Sequence, residues 1–211
     1  MGLFDFLFGG NLFGGRKRTR VEEIPDRIWM TSDARFDGLC GEAVARSTDG
    51  ADAVLLVGHF PDVVARLDEI VRQQSWAVPC RAVAARDLSR ELAFAARLDE
   101  SAVIDILVAE RHPLPAVDDE LSEFAGALPC RCRMAHFLSL EDPVLKAFAG
   151  ERVQGMLKHL GMKEDEAIES AMVSRQVRKA QRKVEGRSFG NVQADSAAEW
   201  LGKNCPELVR E

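Results

Sequence analysis

The chain has 211 residues, 46% of them hydrophobic and 29% charged, the balance of a folded globular protein and not of a disordered one. Acidic residues outnumber basic ones, 34 to 28, for a net charge of −6, which argues against a general nucleic-acid binder. No apolar run approaches the ~18 residues that a membrane-crossing helix needs.

Met1 to Phe13 is short, aromatic and interrupted by Gly9 and Gly10; Phe4, Phe6, Phe8 and Phe13 all fall within it. Arg16, Lys17, Arg18 and Arg20 follow. A signal peptide carries its positive charge first, so this segment is not one. Phe6 stands where a myristoylation signal has Ser or Thr. The pattern suits a weak interfacial anchor, with Phe and Leu entering the headgroup boundary and Arg and Lys meeting anionic lipid. Docking on protein and plain disorder are the readings left open beside it. Gly10 to Lys17 half resembles a phosphate-binding loop, but no strand precedes it, and Arg16 and Lys17 take the places of Lys and Ser or Thr. That match is rejected.

From Ile24 the texture becomes alternately strand-like and helix-like. Arg27–Met30 reads as a short strand, and Ser32 or Asp33 caps a helix to about Arg46. Asp52–Gly58 is a continuous apolar run, as in a strand buried on both faces of a parallel sheet. Pro61 opens the next helix, with Val63, Val64, Leu67, Ile70 and Val71 as its apolar stripe. Ala77–Val83 is the next strand, Asp87 or Ser89 opens a helix through Leu98, and Ala102–Ala109 is a strand interrupted by Asp105. Asp118–Leu128 is a short helix, and Met134–Leu140 is the last strand. Pro143–Leu160 and Glu164 to about Gly186 read as helices. The second has Ile168, Val173, Val177, Ala180 and Val184 as its stripe and its basic residues off it. Asn191–Glu211 reads as a tail with one helical turn near Ala197–Leu201. About five strand–helix alternations point to a doubly wound α/β domain.

Few residues mark chemistry. Gly58 and His59 end a strand at the carboxyl edge, where α/β proteins bind ligands; a tight turn is the competing reason for the glycine. His59, His112, His136 and His159 are scattered, and no Ser or Cys stands in a nucleophile elbow. Asp118, Asp119 and Glu120 at a helix start are read as complements to the helix dipole. The five cysteines are odd in number and irregularly spaced, which is not a disulfide framework. Cys130 and Cys132 are the one close pair, and a zinc site needs about four ligands. All are expected to be reduced thiols, with no metal and no cofactor.

One stretch is more specific. Glu110-Arg-His112, then Asp118-Asp-Glu-Leu121, then His136-Phe-Leu-Ser-Leu-Glu-Asp142 stand in this order and fall into register with one family pattern with no gap. This run resembles the second nucleotide-binding, RecA-like domain of SecA, the motor ATPase family of bacterial protein export. Phe148, Arg152-Val153, Gly155-Met156, Leu160-Gly161-Met162, Glu166–Ser170, Met172-Val173, Ala180–Glu185 and Ser188-Phe189 continue the resemblance into the family's helical scaffold. Upstream it thins to Ile24–Asp26, Thr31 and Val54–Gly58.

The departures fall on charge. The family carries an arginine-rich helicase motif after Asp-x-x-Leu; in register, its three arginines fall on Ser122, Phe124 and Ala127. Such arginines place a fixed cation against the phosphoryl-transfer transition state, and Ser, Phe and Ala do not. The family's first nucleotide-binding domain, with its Walker lysine, has no counterpart.

The resemblance thus implies an α/β, RecA-like, mostly parallel sheet with helices on both faces and a C-terminal helical extension. The expected organisation is an apolar-basic tail over 1–22, the α/β domain over 23–142, the extension over 143–190 and a tail over 191–211. It implies a non-enzymatic accessory module in protein export, with no catalytic residues, lying on the cytoplasmic side and peripheral at the inner membrane face. The SecA motor or the translocation channel is the implied partner. Phe4, Phe6, Phe8, Phe13, Arg16, Lys17, Arg18 and Arg20 would contact anionic membrane, and Arg175, Arg178, Lys179, Arg182 and Lys183 an acidic partner. The competing reading is a regulatory protein that binds ATP or ADP weakly near Gly58 and His59 without turnover. A small-molecule enzyme on a reused scaffold stands third.

Overall fold

The computed structural model describes residues 20–95, 98–148, 150–159, 161–163 and 165–209. Phe4, Phe6, Phe8, Phe13, Arg16, Lys17 and Arg18 lie outside the described residues. Arg20 is exposed and donates to the Leu128 carbonyl at 3.5 Å.

Seven strands form one sheet: β1 (Val21–Glu23), β2 (Arg27–Trp29), β3 (Ala53–Gly58), β4 (Cys80–Ala84), β5 (Val103–Val108), β6 (Arg131–Ser139) and β7 (Ile168–Glu169). The order is β4-β3-β5-β6-β2-β7, parallel throughout except β7, which runs antiparallel to β2. β1 and β2 pair in tandem with the long β6, Val21 opposite Cys132 and Arg27 opposite Phe137. Pro25 separates them because it has no N–H to give the ladder. Asp26 turns out of the strand, and its own N–H donates to Ser174 Oγ at 2.9 Å. The Glu110 and Phe137 segments leave or form neighbouring strands, since Val108 of β5 faces His136 of β6.

Helices α1 (Ser32–Thr48) and α2 (Pro61–Gln73) cover one face of the sheet; α3 (Arg90–Ala95) and α4 (Pro115–Ala127) cover the other. The two cores separate by the strand period of 2. Val54 and Leu56, Leu107 and Ala109, and Ala135 and Phe137 face α1 and α2. Val57, Ile104, Ile106, Val108, Cys132 and Met134 face α4. This is the α/β, mostly parallel arrangement with helices on both faces, consistent with a RecA-like fold. No helix among the described residues is long and apolar enough to cross a membrane.

The structure differs from the sequence reading at several ends. β6 starts at Arg131, three residues before the apolar run. Arg133 is tolerated there because it forks onto Asp105, which is wholly buried in β5 and also meets Arg46 at 2.7 Å. β4 starts after Pro79, whose carbonyl still accepts from Val54 N–H at 3.0 Å. The Pro143–Leu160 helix is two helices, α5 (Pro143–Lys146) and α6 (Gly150–His159). The Glu164–Gly186 helix begins only at Ala171 as α7 (Ala171–Glu185), capped by the Ser170 hydroxyl. Ile168 therefore belongs to β7, which closes the sheet edge with a 2.6 Å pair between Arg27 and Glu169.

The largest difference lies at the C-terminal end. Residues 191–209 pack as α8 (Ala197–Asn204) and α9 (Pro206–Val209). Trp200, Leu201, Cys205 and Leu208 join Phe60, Val144, Ala180 and Val184 in a third core over the carboxyl edge. Trp200 is 1% exposed, and its indole N–H donates to Asn191 Oδ1 at 2.8 Å. Asn204 ties the connecting loop down, donating to the Val192 and Trp200 carbonyls at 3.0 Å and accepting from Val192 N–H at 2.7 Å.

Candidate functional site

The loops that leave β3, β5 and β6 carry the charged residues of the gapless run, and tertiary contacts join them. Glu110, just past β5, is buried. One oxygen of its carboxylate accepts from both His59 N–H at 2.9 Å and Phe60 N–H at 3.0 Å, fastening the turn between β3 and α2. Burial pushes its pKa up to about 7 against the pull of His59 and Arg35. Gly58 permits this turn: a Cβ there would lie 3.0 Å from the Val63 and Val64 side chains.

Asp118, in the first turn of α4, is the centre of a buried network. It accepts from His112 N–H at 3.0 Å, Gln181 Nε2 at 2.7 Å and Arg111 at 3.2 Å, and lies 3.0 Å from His59 Nε2. Arg111 reaches on to Asp26 at 2.6 Å. Gln181 also donates to the His112 carbonyl, which brings α7 into the network. Burial by itself would raise the Asp118 pKa. The His59 ring at 3.0 Å and the Arg111 guanidinium outweigh it and hold the carboxyl well below the usual range.

The histidines here are structural in character. His112 stacks on Phe60 with centroids 5.4 Å apart and meets Trp200 edge-on at 5.4 Å; burial drives its pKa down to about 4. Burial likewise holds His136 well below its ordinary value. Both are neutral at pH 7. Burial raises the thiols, Cys80 and Cys132 to about 12, so they are protonated and not nucleophilic. Cys130 and Cys132 share one core, and all five cysteines are free. Among the described residues no group of three His, Cys, Asp or Glu side chains is arranged to hold a metal.

His59 points into this network, its side chain 1% exposed. A cavity of about 200 Å³ lies beside it, bounded by Phe60, Arg86, His112 and Trp200. The basic residues of α7 divide. Arg178 is drawn inward, donating to the Pro115 carbonyl at 3.2 Å and pairing with Asp119. Lys183 lies over the Phe148 ring, 5.0 Å from its centroid. Arg175, Lys179 and Arg182 stay exposed along a cleft of about 780 Å³ between α7 and the sheet.

Ser122, Phe124 and Ala127 lie on α4. Ser122 lines that cleft, while Phe124 and Ala127 pack in the core beneath the helix. The sequence reading missed Asp26 and Gln181 as network members and took Asp118 for a dipole complement. Asp26 after a proline and Gln181 within a basic run carry no local mark of burial. The gapless Glu110–Asp142 run, and Gly58 and His59 at the carboxyl edge, pointed to this place.

A family model described as the SecA P-loop domain matches residues 67–165. Over 86 residues the chain is 46% identical to "Protein translocase subunit SecA" of Acinetobacter baylyi (strain ATCC 33305 / BD413 / ADP1), covering 41% of this chain and 10% of that protein. The same-named protein of Psychrobacter sp. (strain PRwf-1) is 45% identical over 86 residues, 41% of this chain and 9% of that one. That of Pseudomonas fluorescens (strain Pf0-1) is 42% identical over 90 residues, 43% of this chain and 10% of that one. The matched part thus spans about a tenth of these relatives. Residues 67–165 contain the whole Glu110–Asp142 run and end before α7. Through that central segment, from α2 to just past α6, the chain is related to SecA.

Proposed function

We propose that this chain is a non-catalytic SecA-like protein that acts as an accessory or interaction module in protein export at the membrane face, without ATP hydrolysis. The observation that carries this reading is the composition of α4. The positions at which the resemblance puts three arginines hold Ser122, Phe124 and Ala127, with Phe124 and Ala127 committed to the core. No guanidinium on that helix is available to a transition-state anion. The buried pairings of Glu110, Arg111, His112 and Asp118 support the same view, because each makes hydrogen bonds that hold loops together. The scaffold's packing residues persist where its catalytic cations do not.

The partners in this reading are the SecA motor or the translocation channel, met on the cytoplasmic side. The purified chain incubated with ATP and Mg²⁺ should release no phosphate above the buffer rate. Steady release that scales with protein concentration would overturn the reading. Calorimetry on the same sample checks the second reading, a protein that holds ATP or ADP without turnover. The cavity beside His59, with Arg86 and Trp200 on its walls, is what favours that alternative. Heat on adding nucleotide that Arg86→Ala abolishes, without phosphate release, would establish it over the interaction module.

The N-terminal segment belongs to the same proposal. Phe4, Phe6, Phe8 and Phe13 with Arg16, Lys17, Arg18 and Arg20 would make weak, reversible contact with anionic membrane. The full chain should float with phosphatidylglycerol vesicles at low salt and less so at high salt, since the attraction is screened. A chain lacking residues 1–20 should stay at the bottom of the gradient. Equal flotation by both would reject the anchor.

A further inference from the structure

We infer that the cleft between α7 and the sheet is a binding site for a phosphate-bearing ligand. The inference goes beyond the export reading and does not depend on it.

The cleft combines a deep side of buried, unpartnered nitrogens with an exposed cationic wall. Arg111 and His136 line the deep side. His136 is 3% exposed, and its Nε2 has no hydrogen-bond partner among the described residues; neither has Arg111 Nε, although the rest of that guanidinium is held by Asp26 and Asp118. A buried polar nitrogen without a partner is costly, so such atoms are rare unless something else satisfies them. Two of them border one cleft here.

The wall is the α7 face. Arg175, Arg178, Lys179 and Arg182 recur at i, i+3, i+4 and i+7, so they share one side of the helix and run along it for ~10 Å. Like charges at this spacing weaken a helix. Arg178 is relieved by Asp119, but Arg175, Lys179 and Arg182 have no ion-pair partner among the described residues. Among the described residues Glu23 is the one acid lining the cleft, with Asp26 and Asp118 paired to Arg111 behind it. An arrangement that concentrates positive charge and leaves a buried guanidinium N–H and an imidazole nitrogen open fits an anion with several oxygens, which can meet an N–H as acceptors and, when protonated, a ring nitrogen as a donor. A phosphate supplies these and suits guanidinium forks and ammonium groups alike. A single carboxylate offers two oxygens and one charge.

Pyrophosphate is a direct probe. Titrated into the full chain at low salt, it should bind saturably and shift the His136 ring resonances, and the affinity should fall as salt rises. The Arg175→Ala/Arg182→Ala double variant, whose changes are both on an exposed surface, should bind about 10-fold or more weakly. Arg86→Ala, which alters the cavity beside His59 instead, should bind as the wild type does. Glycerophosphoglycerol, the phosphatidylglycerol headgroup without its chains, forms a second arm, because intact vesicles would also meet residues 1–20: binding that is also lost in the double variant identifies a lipid headgroup as the source, whereas pyrophosphate binding without it identifies a soluble phosphate compound. Either result supports the site. Absence of pyrophosphate binding, or binding lost with Arg86 and kept in the double variant, overturns it. So does binding of hexaglutamate where pyrophosphate fails, which would mark the cleft as a peptide site.

Discussion

Replacing Asp118 with alanine is expected to destabilise the fold by about 3–5 kcal/mol, the range for breaking a buried ion pair by removing one partner. The carboxylate accepts from the Arg111 guanidinium, the Gln181 amide and the His112 N–H, and it neighbours the His59 ring. Alanine leaves all of them buried. Arg111 keeps Asp26, so its charge is not wholly uncompensated, but Gln181 keeps only the His112 carbonyl. Asp118→Asn, similar in shape but uncharged, should fall between the two. The loss has a pH signature. The Asp118 pKa is lowered on folding, so its contribution is fully present above the unfolded value near 3.8 and disappears as pH falls through the folded value. The gap between wild type and Asp118→Ala in urea midpoint should therefore be widest near neutral pH and narrow toward pH 3. Equal midpoints at pH 7 would show that the network does not stabilise the fold.

Trp200→Ala is the second large effect, also about 3–5 kcal/mol, the range for truncating a buried aromatic side chain. Trp200 fills the third core between Phe60, Val144 and Val184, stands edge-on to His112 and donates its indole N–H to Asn191. Its loss opens a cavity and orphans the Asn191 side chain, which releases α8 and α9 from the carboxyl edge. Trp200→Phe, which retains most of the volume but not the N–H, should cost less. Unfolding in urea monitored by circular dichroism checks both. A wild-type midpoint for Trp200→Ala would mean that residues 191–209 are peripheral to the cooperative unit. With total stabilities of domains typically 5–15 kcal/mol, either alanine variant should approach the margin of folding.

The α/β alternation was legible from local pattern alone. Val54–Gly58, and Ile104–Val108 apart from Asp105, are apolar on both faces, and a strand buried between two helical layers leaves that record. Boundaries failed where charge interrupted the pattern. Arg131 and Arg133 hid the start of β6: Arg131 is exposed there, and the partner of Arg133, Asp105, lies on another strand. Ile168 has helical spacing with Val173 and Val177 yet pairs with Ile28, because the end of the sheet was open and the residue was near it. The candidate site was legible only in part. The gapless Glu110–Asp142 run located it, and the absence of arginine at Ser122, Phe124 and Ala127 could be read directly. The five predicted cations of α7 could not be told apart, although Arg178 turned out to be committed inward and Lys183 to be directed at Phe148.

By itself, then, the amino-acid order determined the layered α/β class, the kinship of the central segment with SecA, and the missing cationic side chains on α4. Each of these is a property of neighbouring positions: apolar periodicity, a contiguous motif, the identity of a residue. Tertiary structure alone decided that Asp118 is a hub, that Trp200 anchors the chain's end, and that Arg175, Lys179 and Arg182 border an open cleft. The state of a charge or a large side chain depends on desolvation and on partners dozens of residues away, and only the folded chain brings these together.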